Sequence, residues 1–185
     1  MLRPTALLAA VLLLVPACGA QDAGDVAPPS YARSVCSGLV SWRDGVTADS
    51  AALTRSLSAA ADVPTVRARY TSFFAGAVRR TDQLLGTIHG AGAPKADHGL
   101  GYARDLTAAV QRTRAGLADA RTRFGRLPAG DLSSYAAGAR AVRDSLGTLF
   151  TQVGTTIDRL GSTYTDGDLN RAFRAEPACQ RLGTA

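Results

Sequence analysis

The sequence predicts an all-α protein: an antiparallel, up-down-up-down four-helix bundle followed by a short helical tail. Three observations support this prediction. After Ser30 the apolar residues recur at spacings of three and four, which is typical of amphipathic helices. No stretch alternates with period two for long enough to predict a strand. Turns rich in Gly and Pro divide the pattern into four long segments, which short connections would fold antiparallel.

The first predicted helix begins after Ser30 and ends near Asp62. Asp62 can cap the next helix, and Pro64 suits the first turn of that helix. The apolar stripe of the first helix consists of Val35, Leu39, Trp42, Val46, Leu53, Leu57 and Ala60.

The second predicted helix ends at Gly90, where residues 90–94 have the composition of a turn. Asp97 is the predicted cap of the third helix. The stripe of the second helix consists of Val66, Tyr70, Phe73, Ala77, Leu84 and Ile88.

The third helix ends where residues 128–131 introduce Pro and Gly, and the fourth helix follows. The apolar stripe of the third helix consists of Ala103, Leu106, Val110, Thr113, Leu117, Ala120, Phe124 and Leu127. That of the fourth helix consists of Ala139, Val142, Leu146, Leu149, Val153, Ile157, Leu160 and Tyr164. A short amphipathic piece over 169–176 ends at Pro177 and forms the predicted tail.

The N-terminus has the composition of an export signal. Arg3 supplies a positive charge, and residues 6–15 supply an apolar stretch that is too short to span a membrane as a helix. The run Val15-Pro16-Ala17-Cys18 resembles the lipobox of bacterial lipoproteins, in which the cysteine thiol is acylated, for example with palmitate, and becomes the new N-terminus. An ordinary secretory signal, cut near Ala17 or Ala20, is the alternative.

These features predict three regions of the chain. Residues 1–17 form the signal peptide, and residues 18–30 form a lipidated flexible tether without apolar periodicity. Residues 31–185 form the bundle domain with its tail. The expected location is the extracellular face of the cell membrane, with the protein held there by its lipid anchor.

Cysteine usage supports the same compartment. Lipidation accounts for Cys18, which leaves Cys36 and Cys179 as a pair that an exported compartment can oxidise. Cys36 lies near the start of the first helix and Cys179 just beyond the fourth. The up-down-up-down topology brings both to one end, so a disulfide is predicted there. Two free, buried thiols are the alternative.

Candidate catalytic and metal-binding residues are few. Glu176 is the only glutamate, so the usual carboxylate site of a di-iron bundle cannot be built. No nucleophile elbow, haem attachment motif or zinc-type cysteine pair occurs. We therefore expect no enzyme activity, no metal and no cofactor. An enzyme would need Asp82, His89, Asp97 and His98 to converge in one cleft, although such residues are common at helix ends.

Arginines concentrate in the third helix and at the start of the second. The net charge of the chain is +6, which can attract anionic partners. An anionic envelope polymer, a glycolipid or an acidic protein would suit this surface, and nucleic acid is not an expected partner. A simple solvated face is the alternative. The residues concerned are Arg67, Arg69, Arg112, Arg114, Arg121, Arg123 and Arg126.

Four segments, CSGLVSW, GAPKADHG, RFGRLP and AEPACQRL, are similar to those of small secreted actinobacterial lipoproteins. This resemblance implies a helical bundle closed by a disulfide, in a family of largely uncharacterised function, and it implies no active site. The expected function is that of a membrane-tethered, non-enzymatic binding module. The alternative is a carrier that holds a small hydrophobic ligand or a lipid between its helices.

Overall fold

A computed structural model describes the chain over residues 24–60, 62–128, 130 and 132–183. The described residues contain helices and no strand, so the prediction of an all-α fold is confirmed. The helices are α1 (Pro28–Leu57), α2 (Val63–Ala91), α3 (Gly99–Gly125), α4 (Leu132–Thr163), α5 (Gly167–Ala175) and α6 (Pro177–Gly183).

The four long helices pack in chain order, α1 on α2, α2 on α3 and α3 on α4, and they alternate in direction. Two hydrophobic clusters mark the two ends of the bundle. The first cluster joins the starts of α1 and α3 to the ends of α2 and α4, and we call this the disulfide end. The second joins the start of α2, the end of α3 and the start of α4, and we call this the arginine end.

The core at the disulfide end is built around Tyr31, whose side chain is completely buried. Its ring meets Tyr102 of α3 and Phe173 of α5 edge-on, with centroids 6.0 and 6.3 Å apart. The buried residues of this cluster are Tyr31, Val35, Leu84, Ile88, Ala91, Ala96, Leu106, Val110, Leu160 and Leu169.

The core at the arginine end is aromatic. Tyr70 stacks on Phe124 with ring centroids 4.4 Å apart, and Phe74 lies 5.5 Å from Phe124. The buried residues of this cluster come from α2, α3 and α4 and include none from α1. They are Val63, Phe74, Ala77, Leu117, Ala120, Phe124, Tyr135 and Val142.

The tail forms two short helices that pack on α1. Asp166 caps α5 by accepting hydrogen bonds from the backbone N–H groups of Asp168 and Leu169, at 2.9 and 2.8 Å. The pairing of Cys36 with Cys179 agrees with the prediction, because the structure places their Cα atoms 5.0 Å apart in disulfide geometry.

Residues 24–27 belong to the fold, which corrects the predicted tether over 18–30. The backbone N–H groups of Gly24 and Val26 donate to the carbonyls of Pro94 and Ala93, at 2.9 and 3.1 Å. Helix α1 then begins at Pro28, because proline is well suited to the first turn of a helix. The predicted signal peptide over 1–17 and the lipidation site Cys18 lie outside the described residues.

The cap of α3 also differs from the prediction. His98 occupies the capping position with a left-handed backbone (φ 58°), and its side chain makes no capping hydrogen bond. Asp97 instead donates its backbone N–H to the carboxylate of Asp166, at 3.2 Å. The loop before α3 is therefore held by the residue that caps α5.

Helices α1 and α4 share no extensive contact within the described part of the chain, and α5 and α6 pack on α1 instead. No helix in the described ranges is long and apolar enough to cross a membrane.

Removing the disulfide should lower the free energy of unfolding. The bond joins residues 143 positions apart, so the chain-entropy argument gives about 4–5 kcal/mol as an upper value. Urea unfolding with and without reductant measures this difference. The double variant Cys36→Ser, Cys179→Ser is the control and should not respond to reductant. Equal unfolding midpoints for the oxidised protein and the double variant would contradict the prediction.

Candidate functional site

Positive charge is concentrated at the arginine end. Residues 55–69 and 119–144 carry eight arginines against four aspartates, a net charge of +4. The segments that meet at the disulfide end, 24–35, 88–105 and 158–183, carry seven basic and seven acidic residues. Most of the net positive charge of the protein therefore lies away from the disulfide end.

Several of the predicted arginines have partners within the protein. Arg67 donates to the carbonyl of Leu127 at 3.0 Å, which joins the start of α2 to the segment after α3. Arg114 forms an ion pair with Asp82 of α2 at 2.6 Å. These two side chains thus hold helices together as well as contributing positive charge.

Arg123 also binds within the protein. Its guanidinium lies 3.6 Å from the Asp119 carboxylate and donates to the Ser145 hydroxyl of α4 at 3.1 Å. Arg112 lines a cleft of about 240 Å³ between α3 and α4, together with Arg159. Arg112 and Arg123 therefore both lie on the side of α3 that faces α4.

The structure distributes the predicted arginines of α3 along two edges of that helix. Arg114 and Arg121 are seven residues apart and share the edge toward α2. Arg112, Arg123 and Arg126 have spacings of 11 and 3 residues and share the edge toward α4. The positive charge therefore forms a broad surface around α3 and not one pocket.

Three exposed arginines near the end of α3 and the start of α4 have side chains that make no hydrogen bond or ion pair with any described residue. They are Arg121, Arg126 and Arg140. Arg140 was not among the predicted residues, because it lies on α4 and only the antiparallel packing brings the start of α4 beside the end of α3. We call Arg121, Arg126 and Arg140 the arginine surface.

A groove runs along the interface of α1 and α2, and an ion pair divides it into two compartments. Arg80 donates to both carboxylate oxygens of Asp49, at 2.7 and 3.0 Å. The Arg80 side chain passes over α1 beside Gly45. A Cβ atom at Gly45 would lie only 2.5 Å from the Arg80 guanidinium. The hydrogen bonds from Arg80 hold the pKa of Asp49 below its ordinary value.

The compartment toward the disulfide end has a volume of about 480 Å³. The indole of Trp42 forms part of its wall and donates to the hydroxyl of the buried Thr81 at 3.0 Å. Three serines of α1 spaced at helical intervals, Ser34, Ser37 and Ser41, line the same side.

The compartment toward the arginine end has a volume of about 620 Å³. Leu53 of α1 and Phe73 of α2 are half-buried in its lining, and Arg69 and Arg79 provide positive charge. We call this compartment the α1–α2 groove. Its remaining lining residues are Asp49, Ala52, Ser56, Thr65, Ala68, Ser72 and Gly76.

The four polar residues that an enzyme would need have different surroundings. Asp82 pairs with Arg114, and Asp97 lies in the loop that Asp166 holds. His89 is exposed in the last turn of α2, and His98 precedes α3. No group of three or more His, Cys, Asp or Glu side chains in the described ranges could hold a metal ion.

Comparison with known proteins found no family model, no curated protein and no solved structure that matches this chain.

Replacing Asp49 by asparagine should destabilise the protein at neutral pH and have less effect in acid. The side chains of Asp49 and Arg80 are about one-third exposed, so the free energy of unfolding at pH 7 should fall by no more than about 1 kcal/mol. Because Arg80 lowers the pKa of Asp49 in the folded state, the stabilisation is complete above the ordinary value of 3.8. It is lost as the pH falls through the lowered value.

Urea unfolding of the wild type and Asp49→Asn at pH 7 and pH 3 checks this sign. Asp158→Asn, at an exposed position without a described partner, is the matched control. If the difference in free energy of unfolding between the wild type and Asp49→Asn were larger at pH 3 than at pH 7, the role of the ion pair would be refuted.

Proposed function

We propose that this protein is a cell-envelope lipoprotein, tethered through Cys18, that binds an anionic envelope polymer through its arginine surface. The observation that carries the proposal is the charge distribution. The arginine end has a net charge of +4 and exposes guanidinium groups without carboxylate partners, while charge at the disulfide end is balanced. We propose no catalytic step.

A polymer suits this surface better than a small anion. Guanidinium groups bind carboxylate and phosphate oxygens through paired hydrogen bonds. Here they are spread over both edges of α3 and the start of α4, so they do not converge on the position of one small anion. A chain of repeated anionic groups can contact many of them at once.

The position of Gly24 supports an orientation in which the arginine surface points away from the membrane. Gly24 is held beside Pro94 at the disulfide end, six residues after Cys18. Six residues span at most about 20–22 Å when fully extended, so Gly24 lies close to the anchored cysteine. Helix α2, with 29 residues, is about 43 Å long, so an upright domain would hold the arginine end well beyond the ~8 Å screening length of the anchoring membrane.

Acylation of Cys18 predicts that Cys18→Ala releases the protein from the membrane. Fractionation of cells that express each form measures the distribution, and the mass of the mature N-terminal peptide shows whether an acyl group is present. Cys36→Ser is the control, because it removes the disulfide and leaves the anchor. A Cys18→Ala protein that remained in the membrane fraction after processing would rule out this tether.

Reversing the arginine surface should abolish most binding to a polyanion. In Arg121→Glu, Arg126→Glu, Arg140→Glu, three exposed contacts worth up to about 1 kcal/mol each become repulsive, so affinity for inorganic polyphosphate should fall by about tenfold or more. Titration at low and physiological salt measures the change, and salt should weaken the wild-type binding.

The matched control is Lys95→Glu, Arg159→Glu, Arg174→Glu, which changes the net charge equally at exposed positions toward the disulfide end. We expect the control to keep most of the wild-type affinity. Equal losses for the two triple variants would mean that only net charge matters, and no arginine surface would then exist as a site.

A further inference from the structure

The α1–α2 groove is open because small side chains face each other across it. On α2, Ala68, Ser72 and Gly76 follow one another at helical spacing, and Ala52 of α1 lies opposite them. A Cβ atom at Gly76 would come no closer than 3.6 Å to Asp49. The second half of α1 therefore lies beside α2 without filling the space between the two helices.

The lining of the groove is apolar over much of its length. Leu53 and Phe73 are half-buried, and Ala52 and Ala68 are exposed. Thr65 and Arg79 are 14 positions apart on α2, or about 21 Å along the helix axis. An aliphatic chain lying in this groove would remove apolar surface of both chain and protein from water, which is favourable.

The charge in the groove favours an anion. The Arg69 side chain is half-buried, and its Nη1 atom is buried without a hydrogen-bond partner among the described residues. A ligand in the groove can accept only from the accessible part of this guanidinium, and the positive charge of the half-buried group favours an anion there. Arg79 adds a second positive charge in the lining.

The carboxylates near the groove already have partners. Asp49 accepts from Arg80 with both oxygens, and Asp62 accepts from the backbone N–H of Thr65 at 2.6 Å as the cap of α2. Neither carboxylate hydrogen-bonds to Arg69. The pKa of Asp62 is lowered chiefly by its hydrogen bond from Thr65, and the positive charge of Arg69 lowers it further.

From the apolar lining and the unpartnered Arg69 we infer that the α1–α2 groove binds a single-chain amphipathic anion. Its aliphatic chain lies against Leu53 and Phe73, and its carboxylate or phosphate accepts from Arg69. The ligand thus lies on the protein surface between two helices, beside the two clusters of buried side chains. The site shares no residue with the arginine surface, so each proposal can fail without the other.

Isothermal titration with dodecyl phosphate, below its micelle concentration, tests the inference with the oxidised, full mature protein. Two probes separate the contributions: dodecyl maltoside keeps the chain and replaces the anionic head, and butyl phosphate keeps the head and shortens the chain. We expect one dodecyl phosphate per protein, bound at least tenfold more tightly than either comparison probe. No binding, or equal binding of dodecyl phosphate and either comparison probe, would overturn the inference.

Variants locate the site. Ala52→Phe and Ala68→Phe fill the groove from opposite walls at exposed positions, and each should abolish binding of dodecyl phosphate. Ala51→Phe is the matched control, because Ala51 is also exposed on α1 and does not line the groove. Circular dichroism checks that each variant is folded. Unchanged affinity in a folded Ala52→Phe or Ala68→Phe would overturn the inference.

Arg69→Gln should weaken dodecyl phosphate binding about tenfold and leave the weak binding of dodecyl maltoside unchanged. Arg55→Gln, an exposed arginine near the end of α1 and outside the groove lining, should change neither. Equal effects of Arg69→Gln and Arg55→Gln would contradict the role of Arg69. The arginine-surface triple variant should retain dodecyl phosphate binding, which distinguishes failure here from failure of the proposed function.

Discussion

The packing of α1 at the disulfide end is the constraint on which the rest of the fold depends. Tyr31 is completely buried where α1, α3 and α5 meet, so the start of α1 is held from two sides. Burial raises the pKa of Tyr102 beside it to about 12, which keeps that phenol neutral. The hydroxyl of Tyr31 has no described partner, so burial of its ring must compensate for an unpaired polar atom.

The C-terminal helices complete this end of the molecule. Ala178 of α6 is buried with Cys36 and Val40 of α1, and the pairing of Cys36 with Cys179 holds α6 against α1. Asp166 links the cap of α5 to the loop before α3. Because α5 and α6 occupy the surface of α1, the tail takes part in closing the bundle at the disulfide end.

The arginine end follows a different design, since α1 contributes nothing to its buried core. Aromatic stacking among α2, α3 and α4 stabilises this end, and α1 approaches it through the ion pair of Arg80 with Asp49 and the groove residues beyond that pair. One consequence is an apolar groove beside α2. In addition, α1 does not cover the end of α3 and the start of α4, so the arginine surface there is exposed to solvent and available to a partner.

The sequence alone determined the helices, because the three-four spacing of apolar residues and the Pro and Gly breaks are local signals. It also indicated the pairing of Cys36 with Cys179, since an antiparallel topology brings the two to one end. It placed the end of the predicted tether too late, because the hydrogen bonds of Gly24 and Val26 go to a loop nearly 70 residues away.

Only the tertiary structure decided how the polar residues are grouped. Composition identified the arginines of α3, but packing against α2 and α4 separates them onto two edges and brings Arg140 beside them. The α1–α2 groove could not be predicted, because it arises from small residues on two helices that face each other without filling the space between them. Periodicity shows which residues point inward, whereas the partner that each one meets depends on contacts between distant segments.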